Sequence, residues 1–156
     1  MADKGEGGIK IVCENRKARH NYFIEDRFEA GIALKGTEVK SLRGGKASLQ
    51  DAYAIFTNRE LFLLNSHIPP YSMANRENHD PLRTRKLLLK RSELDKLWGK
   101  LEIRGYALVP LKMYFKRGLA KVEIALGRGK KLHDKRRATK EREANRQLER
   151  LRKHGR

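Results

Sequence analysis

Leu111-Lys112-Met113-Tyr114-Phe115-Lys116, then Arg117-Gly118, then Leu119-Ala120-Lys121-Val122-Glu123-Ile124-Ala125-Leu126 is the stretch on which the fold turns. Leu111, Met113 and Phe115 alternate with Lys112, Tyr114 and Lys116. After the Arg117-Gly118 break, Ala120, Val122, Ile124 and Leu126 alternate with Lys121, Glu123 and Ala125. A period of two marks a strand with one buried face, so the pair predicts an antiparallel hairpin. Upstream, Phe28, Ala30, Ile32 and Leu34 repeat the pattern, and Gly36-Thr37 ends it. Thr37 is placed to cap a short helix through Leu42 that stops at Gly44-Gly45. Tyr53–Phe56 and Leu61–Leu64, separated by Thr57-Asn58-Arg59-Glu60, predict a second hairpin with a four-residue turn. The polar connection from Ile68 to Pro81 reads as a mobile loop. Ser92 as cap, with Leu94, Leu97, Trp98 and Leu101 following at i, i+3, i+4 and i+7, predicts a helix that ends near Gly105. Short alternating strands with one or two helices make the chain mainly β, an OB-like, partly closed antiparallel barrel. A flat α+β sandwich fits the same periodicity.

The apolar residues needed for such a body are concentrated before residue 127. Of the 156 residues, 38% are hydrophobic, and Lys and Arg outnumber Asp and Glu by 37 to 19, a formal charge of +18. There are 24 basic and 15 acidic residues before Gly127, and 13 and 4 from it onward, so the last fifth carries half the net charge. Residues 1–126 are therefore read as one RNA-binding body and 127–156 as a basic C-terminal tail. In that tail Leu132, Leu148 and Leu151 are the only aliphatic side chains larger than alanine, too few to offset the entropy of ordering it. It lacks proline and is rich in helix formers from Asp134, a candidate N-cap, so it is expected disordered when free and helical on RNA.

A charge of this size and sign selects a polyanion as partner, nucleic acid foremost. A membrane is disfavoured because the chain shows neither a long apolar run nor a lipidation signal, and a cytoplasmic location is expected. Cys13 stands alone and reads as a small half-buried hydrophobe. His20, His67, His79, His133 and His154 show no ligand spacing, so no metal and no cofactor is expected. Glu25-Asp26 and Asp134 form no catalytic constellation, and the chain is read as a non-enzyme.

Two stretches carry nucleic-acid chemistry. Asn15-Arg16-Lys17-Ala18-Arg19-His20-Asn21-Tyr22-Phe23 interleaves cations with rings and an amide, suited to phosphate contact and base stacking. It reads equally as a solvated charge run leading into a strand. Gly127-Arg128-Gly129-Lys130-Lys131-Leu132-His133-Asp134-Lys135-Arg136-Arg137 sets glycines and dense cations around one imidazole, or is a generic basic linker.

Taken with Phe28-Glu29-Ala30-Gly31, Glu38-Val39-Lys40-Ser41-Leu42-Arg43 and Asp80-Pro81-Leu82-Arg83-Thr84-Arg85-Lys86-Leu87-Leu88-Leu89, these stretches closely resemble the SmpB family, the bacterial SsrA-binding proteins, over nearly the whole chain. The resemblance implies an adaptor that binds the tRNA-like domain of transfer-messenger RNA and takes it to stalled 70S ribosomes for trans-translation. It implies a tail that enters the small-subunit decoding centre and the empty mRNA channel. Matching positions then assign Asn15, Glu29, Tyr53, Leu88 and Lys121, supported by Arg16, Arg19, His20 and Tyr22, to the tRNA-like domain. They assign Gly129, Lys130, Lys131, His133, Asp134, Lys135 and Arg136 to the decoding site, with His133 stacking. No DNA and no membrane partner is implied, and the protein is expected as a monomer on RNA. A ribosomal protein fits the charge and the tail as well and is separated only by these motifs, whereas a small nuclease lacks the converging acidic groups.

Overall fold

The computed structural model describes residues 8–74 and 77–155. In chain order the elements are β1 (Ile9–Glu14), α1 (Arg16–Asn21), β2 (Tyr22–Ile32), α2 (Gly36–Arg43), β3 (Tyr53–Thr57), β4 (Glu60–Leu64), β5 (Arg85–Leu88), α3 (Arg91–Leu101), β6 (Tyr106–Lys116), β7 (Leu119–Gly129) and α4 (Leu132–His154). Every strand pairing is antiparallel. The order β1-β6-β3-β4-β5-β2-β7, with β7 also paired to β6, bends the sheet into a ring to which β1 is added outside β6. Two seams of the ring are thin: β3 meets β6 only at Ala54–Leu108, and β2 meets β5 only at Gly31–Leu88 and Ile32–Leu87. The mainly β, partly closed barrel is thus the fold, and the flat sandwich is not.

The hairpin that decides the fold is longer than its alternation suggests, and Arg117 (φ 53°) and Gly118 (φ 77°) make its tight turn. Ala120, Val122, Ile124 and Leu126 face the main core as expected. Leu111 does not. A register shift between Pro110 and Lys112 turns it to the opposite side, where it packs with Ala18, Val109 and Ala125 under α1; an extra residue in one strand reverses the facing of what precedes it. The second hairpin turns on two residues rather than four: Thr57 pairs with Glu60, and Asn58 and Arg59 both adopt positive φ (51° and 62°), as the twist of the flanking strands requires.

Three expected caps differ from those observed. Lys35, Lys90 and Lys131 occupy the N-cap positions of α2, α3 and α4, without a side-chain cap bond. Thr37 is instead drawn to His79: the His79 Nε2–H donates to the Ile68 carbonyl (2.8 Å), leaving Nδ1 to accept from the Thr37 hydroxyl (2.9 Å). Ser92 and Asp134 lie inside their helices. On α3, Leu97 is fully buried, a side chain that contributes about 1.5–3 kcal/mol by leaving water. Trp98 is half exposed, its ring set edge-on to Phe56 at 5.2 Å.

The connection from Ile68 to Pro81, where described, is tied down: Ile68 and His79 are buried, and the Asn78 side chain both accepts from the Tyr71 amide and donates to its carbonyl. Residues 75 and 76 of that stretch lie outside the described residues. Behind it Glu38 and Arg85 are both fully buried. Arg85 Nε donates to Glu38 Oε2 at 2.6 Å, and Arg83 Nε donates to the other carboxylate oxygen. The Arg85 guanidinium also donates to the carbonyls of Ser66, Asp80, Pro81 and Arg83 and to the Ser66 hydroxyl. Burial pushes the Glu38 carboxyl up, but the two arginines more than reverse this and hold it below the ordinary range.

Cys13 is half-buried against the core, and burial pushes its thiol up to about 11. The tail forms a helix over Leu132–His154, with Asp134 in its positive first turn and Arg152, Lys153 and His154 in its negative last turn. β7 runs to Gly129, three residues past the expected boundary of the body.

Candidate RNA interface

The basic run after residue 15 folds as helix α1, so its cations are displayed on a rigid element rather than on a solvated chain. Asn15 caps it: Oδ1 accepts from the Ala18 amide (3.3 Å) and Nδ2 donates to the Pro110 carbonyl (3.0 Å). The Asn15 side chain is buried, with both polar ends occupied inside the protein, so what it fixes is the placement of α1. Ala18 is the buried face of that helix, and Arg16, Lys17 and Arg19 are exposed.

The other end of α1 is closed by Lys130, whose amide donates to the Asn21 carbonyl (2.8 Å) and whose ammonium donates to the Arg19 carbonyl (3.1 Å) while lying 5.0 Å from the centre of the Phe23 ring. A cation at a helix C-terminus is favoured by the macrodipole. His20 is half-buried on α1. The Tyr22 side chain lies on Gly127, where an added Cβ would stand 3.0 Å from Tyr22 Cβ; the glycine is what allows the ring to sit there. Tyr22, Tyr53, Lys17 and Asn21 border a groove of about 270 Å³ whose far wall holds Asp51, and Tyr53 is 41% exposed. Cations beside an exposed ring are the elements of base stacking with phosphate contact.

A second group forms at the far end of β2. Gly31 is paired with Leu88 on β5 and with Lys121 on β7, so all three share one face of the sheet with Glu29. An added Cβ on Gly31 would come within 3.3 Å of Leu88 Cβ, and Leu88 is 51% exposed. It is therefore not the core residue that an aliphatic position suggests. The Tyr114 hydroxyl donates to Glu29 Oε2 at 2.5 Å, with Lys116 Nζ at 3.4 Å from the same oxygen. The Tyr114 bond, with Lys116 and Lys121 adding to it, holds the Glu29 carboxyl below its ordinary range, while burial and the Glu29 carboxylate push Tyr114 up. An ionised carboxylate fixed in this way accepts hydrogen bonds from base N–H groups. Tyr22 and Gly31 lie along one strand, at most about 30 Å apart at ~3.3 Å per residue, so the two groups stand apart on the surface.

The structure thus brings Arg16, Arg19, His20, Tyr22 and Tyr53 around the helix that Asn15 caps, and Glu29, Leu88 and Lys121 around Gly31. Gly129 pairs with Tyr22 in β7, and Lys130 is engaged with α1. Lys131 and Arg136 are exposed and Asp134 and Lys135 half-buried on α4; His133 lies in the first turn, and its side chain is outside the described residues. Tyr114 and Lys116 are additions. Only register could have found Tyr114, since it stands opposite Lys121 on the neighbouring strand. Among the described residues no group of three or more His, Cys, Asp or Glu is placed to hold a metal, and no helix is long and apolar enough to cross a membrane.

A family model described as SmpB protein matches residues 12–154. An SsrA-binding protein of Geobacter sulfurreducens is 57% identical over 141 residues, covering 90% of this chain and 92% of the relative. One from Geobacillus thermodenitrificans is 55% identical over 147 residues, 94% of each chain. A solved structure described as "tmRNA-SmpB: a journey to the center of the bacterial ribosome" is similar with a TM-score of 0.65 at 55% identity, covering 77% of this chain and 85% of that one. With the family model spanning nearly all of the chain and relatives above half identity over nine-tenths of it, the protein belongs to the SmpB family.

Proposed function

We infer that this chain is an RNA-binding adaptor of trans-translation: it binds the tRNA-like domain of transfer-messenger RNA and accompanies it to stalled ribosomes. The observation that carries the reading is the pairing of a capped, rigid basic helix with exposed rings at one end of β2 and a fixed carboxylate, an exposed leucine and a lysine at the other. Relatives named SsrA-binding proteins and the likeness to a tmRNA-SmpB structure support it. Arg16 and Arg19 meet phosphates, Tyr22 and Tyr53 offer faces for stacking, and Glu29 accepts from a base edge beside Leu88 while Lys121 neutralises the adjacent backbone. Asn15 and His20 serve through α1. No covalent step falls to this chain.

The body, residues 1–126 with the β7 extension to Gly129, holds the RNA. The tail serves the ribosome, with Gly129, Lys130, Lys131, His133, Asp134, Lys135 and Arg136 at the small-subunit decoding centre and α4 along the message channel. Its cations suit a channel walled by RNA, and stacking is the role that suits the His133 imidazole.

The test is binding to the tRNA-like domain of transfer-messenger RNA, to ordinary tRNA and to duplex DNA over a salt series. Phosphate contacts alone weaken with salt for every polyanion. Preference for the tRNA-like domain that persists at high salt is the expected result; equal and uniformly salt-sensitive binding would reject the adaptor.

A further inference from the structure

The barrel seam between β3 and β6 stops after one pair. Ala54 meets Leu108, and a continuing antiparallel ladder would set Phe56 opposite Tyr106. The strands part instead, and the Tyr106 amide donates to the Ile103 carbonyl (3.4 Å). Thr57 and Glu60 flank the two-residue turn of the β3–β4 hairpin as a hydrogen-bonded pair. Phe56, one residue along, therefore turns its N–H and C=O away from β4 and toward the open seam, where no strand meets them. Between the parted strands and α3 lies a groove of about 400 Å³, walled by Tyr53, Ile55 and Phe56 of β3, Trp98 and Leu101 of α3 and Tyr106 of β6. Tyr53, Ile55 and Trp98 remain exposed. Apolar side chains gathered in one open groove mark a binding surface.

The charge around the groove decides what it takes. The chain carries 37 Lys and Arg among 156 residues, yet among the described residues none of them lines this groove. Its one charged side chain is Glu102, which among the described residues has no cation within ion-pair distance. The hollow on the other side of Trp98 does hold Arg59 and Arg91, and Arg91 is paired there with Asp95 at 3.4 Å. RNA is held by cations beside exposed rings, so an apolar groove with a free carboxylate suits it poorly. We propose that this groove binds an extended segment of a partner protein, which sets an apolar side chain against Trp98 and Ile55, a basic side chain by Glu102, and its backbone along Phe56 as an added strand. Tyr53 borders both this groove and the one beside Tyr22 and Lys17; the other walls are separate, and the inference stands apart from the adaptor reading.

Trp98 is the chain's one tryptophan, so its emission reads the groove directly. The full chain is titrated, up to about 1 mM, with a blocked hexapeptide alternating leucine and lysine; control peptides alternate serine with lysine and leucine with glutamate. A saturable change in emission with the leucine–lysine peptide is the expected result. Each buried leucine lost should weaken binding about 10-fold or more, so the serine–lysine peptide should leave the emission unchanged. Glu102→Gln should weaken the leucine–lysine peptide about 2–5-fold and narrow its advantage over leucine–glutamate. Ile55→Lys should abolish the response with unchanged melting temperature and unchanged affinity for the tRNA-like domain. Methylating the backbone nitrogens of the leucine–lysine peptide should weaken it as well; undiminished binding would overturn the added strand. No response to the leucine–lysine peptide, or an equal one to serine–lysine, would overturn the groove as a peptide site. So would an emission change from an unpaired oligonucleotide that the peptide cannot displace, which would give the groove to RNA, or one on concentrating the free chain, which would give it to a second copy.

Discussion

Replacing Glu38 by Gln keeps the shape of the side chain and removes only its charge. Glu38 and Arg85 have no exposed side-chain surface, and Arg83 is only 24% exposed. The substitution therefore leaves a buried guanidinium with carbonyls for company and no counter-charge. Removing one partner of a buried pair costs about 3–5 kcal/mol, against a total stability of about 5–15 kcal/mol for a domain. With a urea dependence of about 2 kcal/mol per M, the midpoint should fall by about 2 M. The wild type should also lose stability on acidification in a way the Gln variant does not. The folded Glu38 titrates below its unfolded value, so its contribution is complete above the unfolded pKa and is lost as the pH falls through the folded one. Urea melts at neutral and acidic pH check both statements. A loss below about 1 kcal/mol would show that the carbonyls of Ser66, Asp80, Pro81 and Arg83 suffice for the guanidinium and would refute the argument.

Gly127→Ala should cost about 1–3 kcal/mol in a thermal or urea melt through overpacking against Tyr22, and the cost should shrink in a Tyr22→Ala background. Tyr114→Phe removes the bond that most depresses Glu29; the carboxyl titration followed by NMR should move up toward the ordinary glutamate range, and weaker binding of the tRNA-like domain should accompany it. Truncation after Lys131 keeps the Lys130 closure of α1, so RNA affinity should stay largely intact while tagging of nascent chains on stalled ribosomes is lost; equal loss of both would argue against separate partners for body and tail. His133→Ala should reduce peptide tagging with unchanged RNA affinity, measured side by side.

Where periodicity is clean the fold was legible. Val122, Ile124 and Leu126 stand in the core as alternation predicts. It was not legible where charge is buried or register slips. Arg85 shares the inner face of β5 with Leu87, but an arginine is read as outward by default, so this strand shows no alternation in the sequence although its motif carries the family resemblance. Leu111 was misread because a bulge leaves no trace in residue type. α1 was hidden because six residues with a single apolar position carry no periodicity, and Asn15 reveals it only through its cap. Of the candidate site, the cations and rings were visible as types. That Glu29, Leu88 and Lys121 meet around Gly31 depends on strand partners nearly a hundred residues away in part, which no local pattern encodes.

The pairing of β1 with β6 and of β2 with β7 has a consequence for synthesis. Apart from Gly31 and Ile32, which reach β5, the backbone of residues 9–32 has no strand partner until residues 106–129 have been made. At about 5–20 residues per second, the N-terminal strands wait roughly 5–20 s as open edges while the rest of the body is translated. An unpaired edge invites pairing with another chain, and charge is the usual protection. Glu25, Asp26, Arg27 and Glu29 on β2 supply it. The charges that later form ion pairs with Lys100 and Glu123 and the hydrogen bond with Tyr114 first serve to keep a nascent strand to itself.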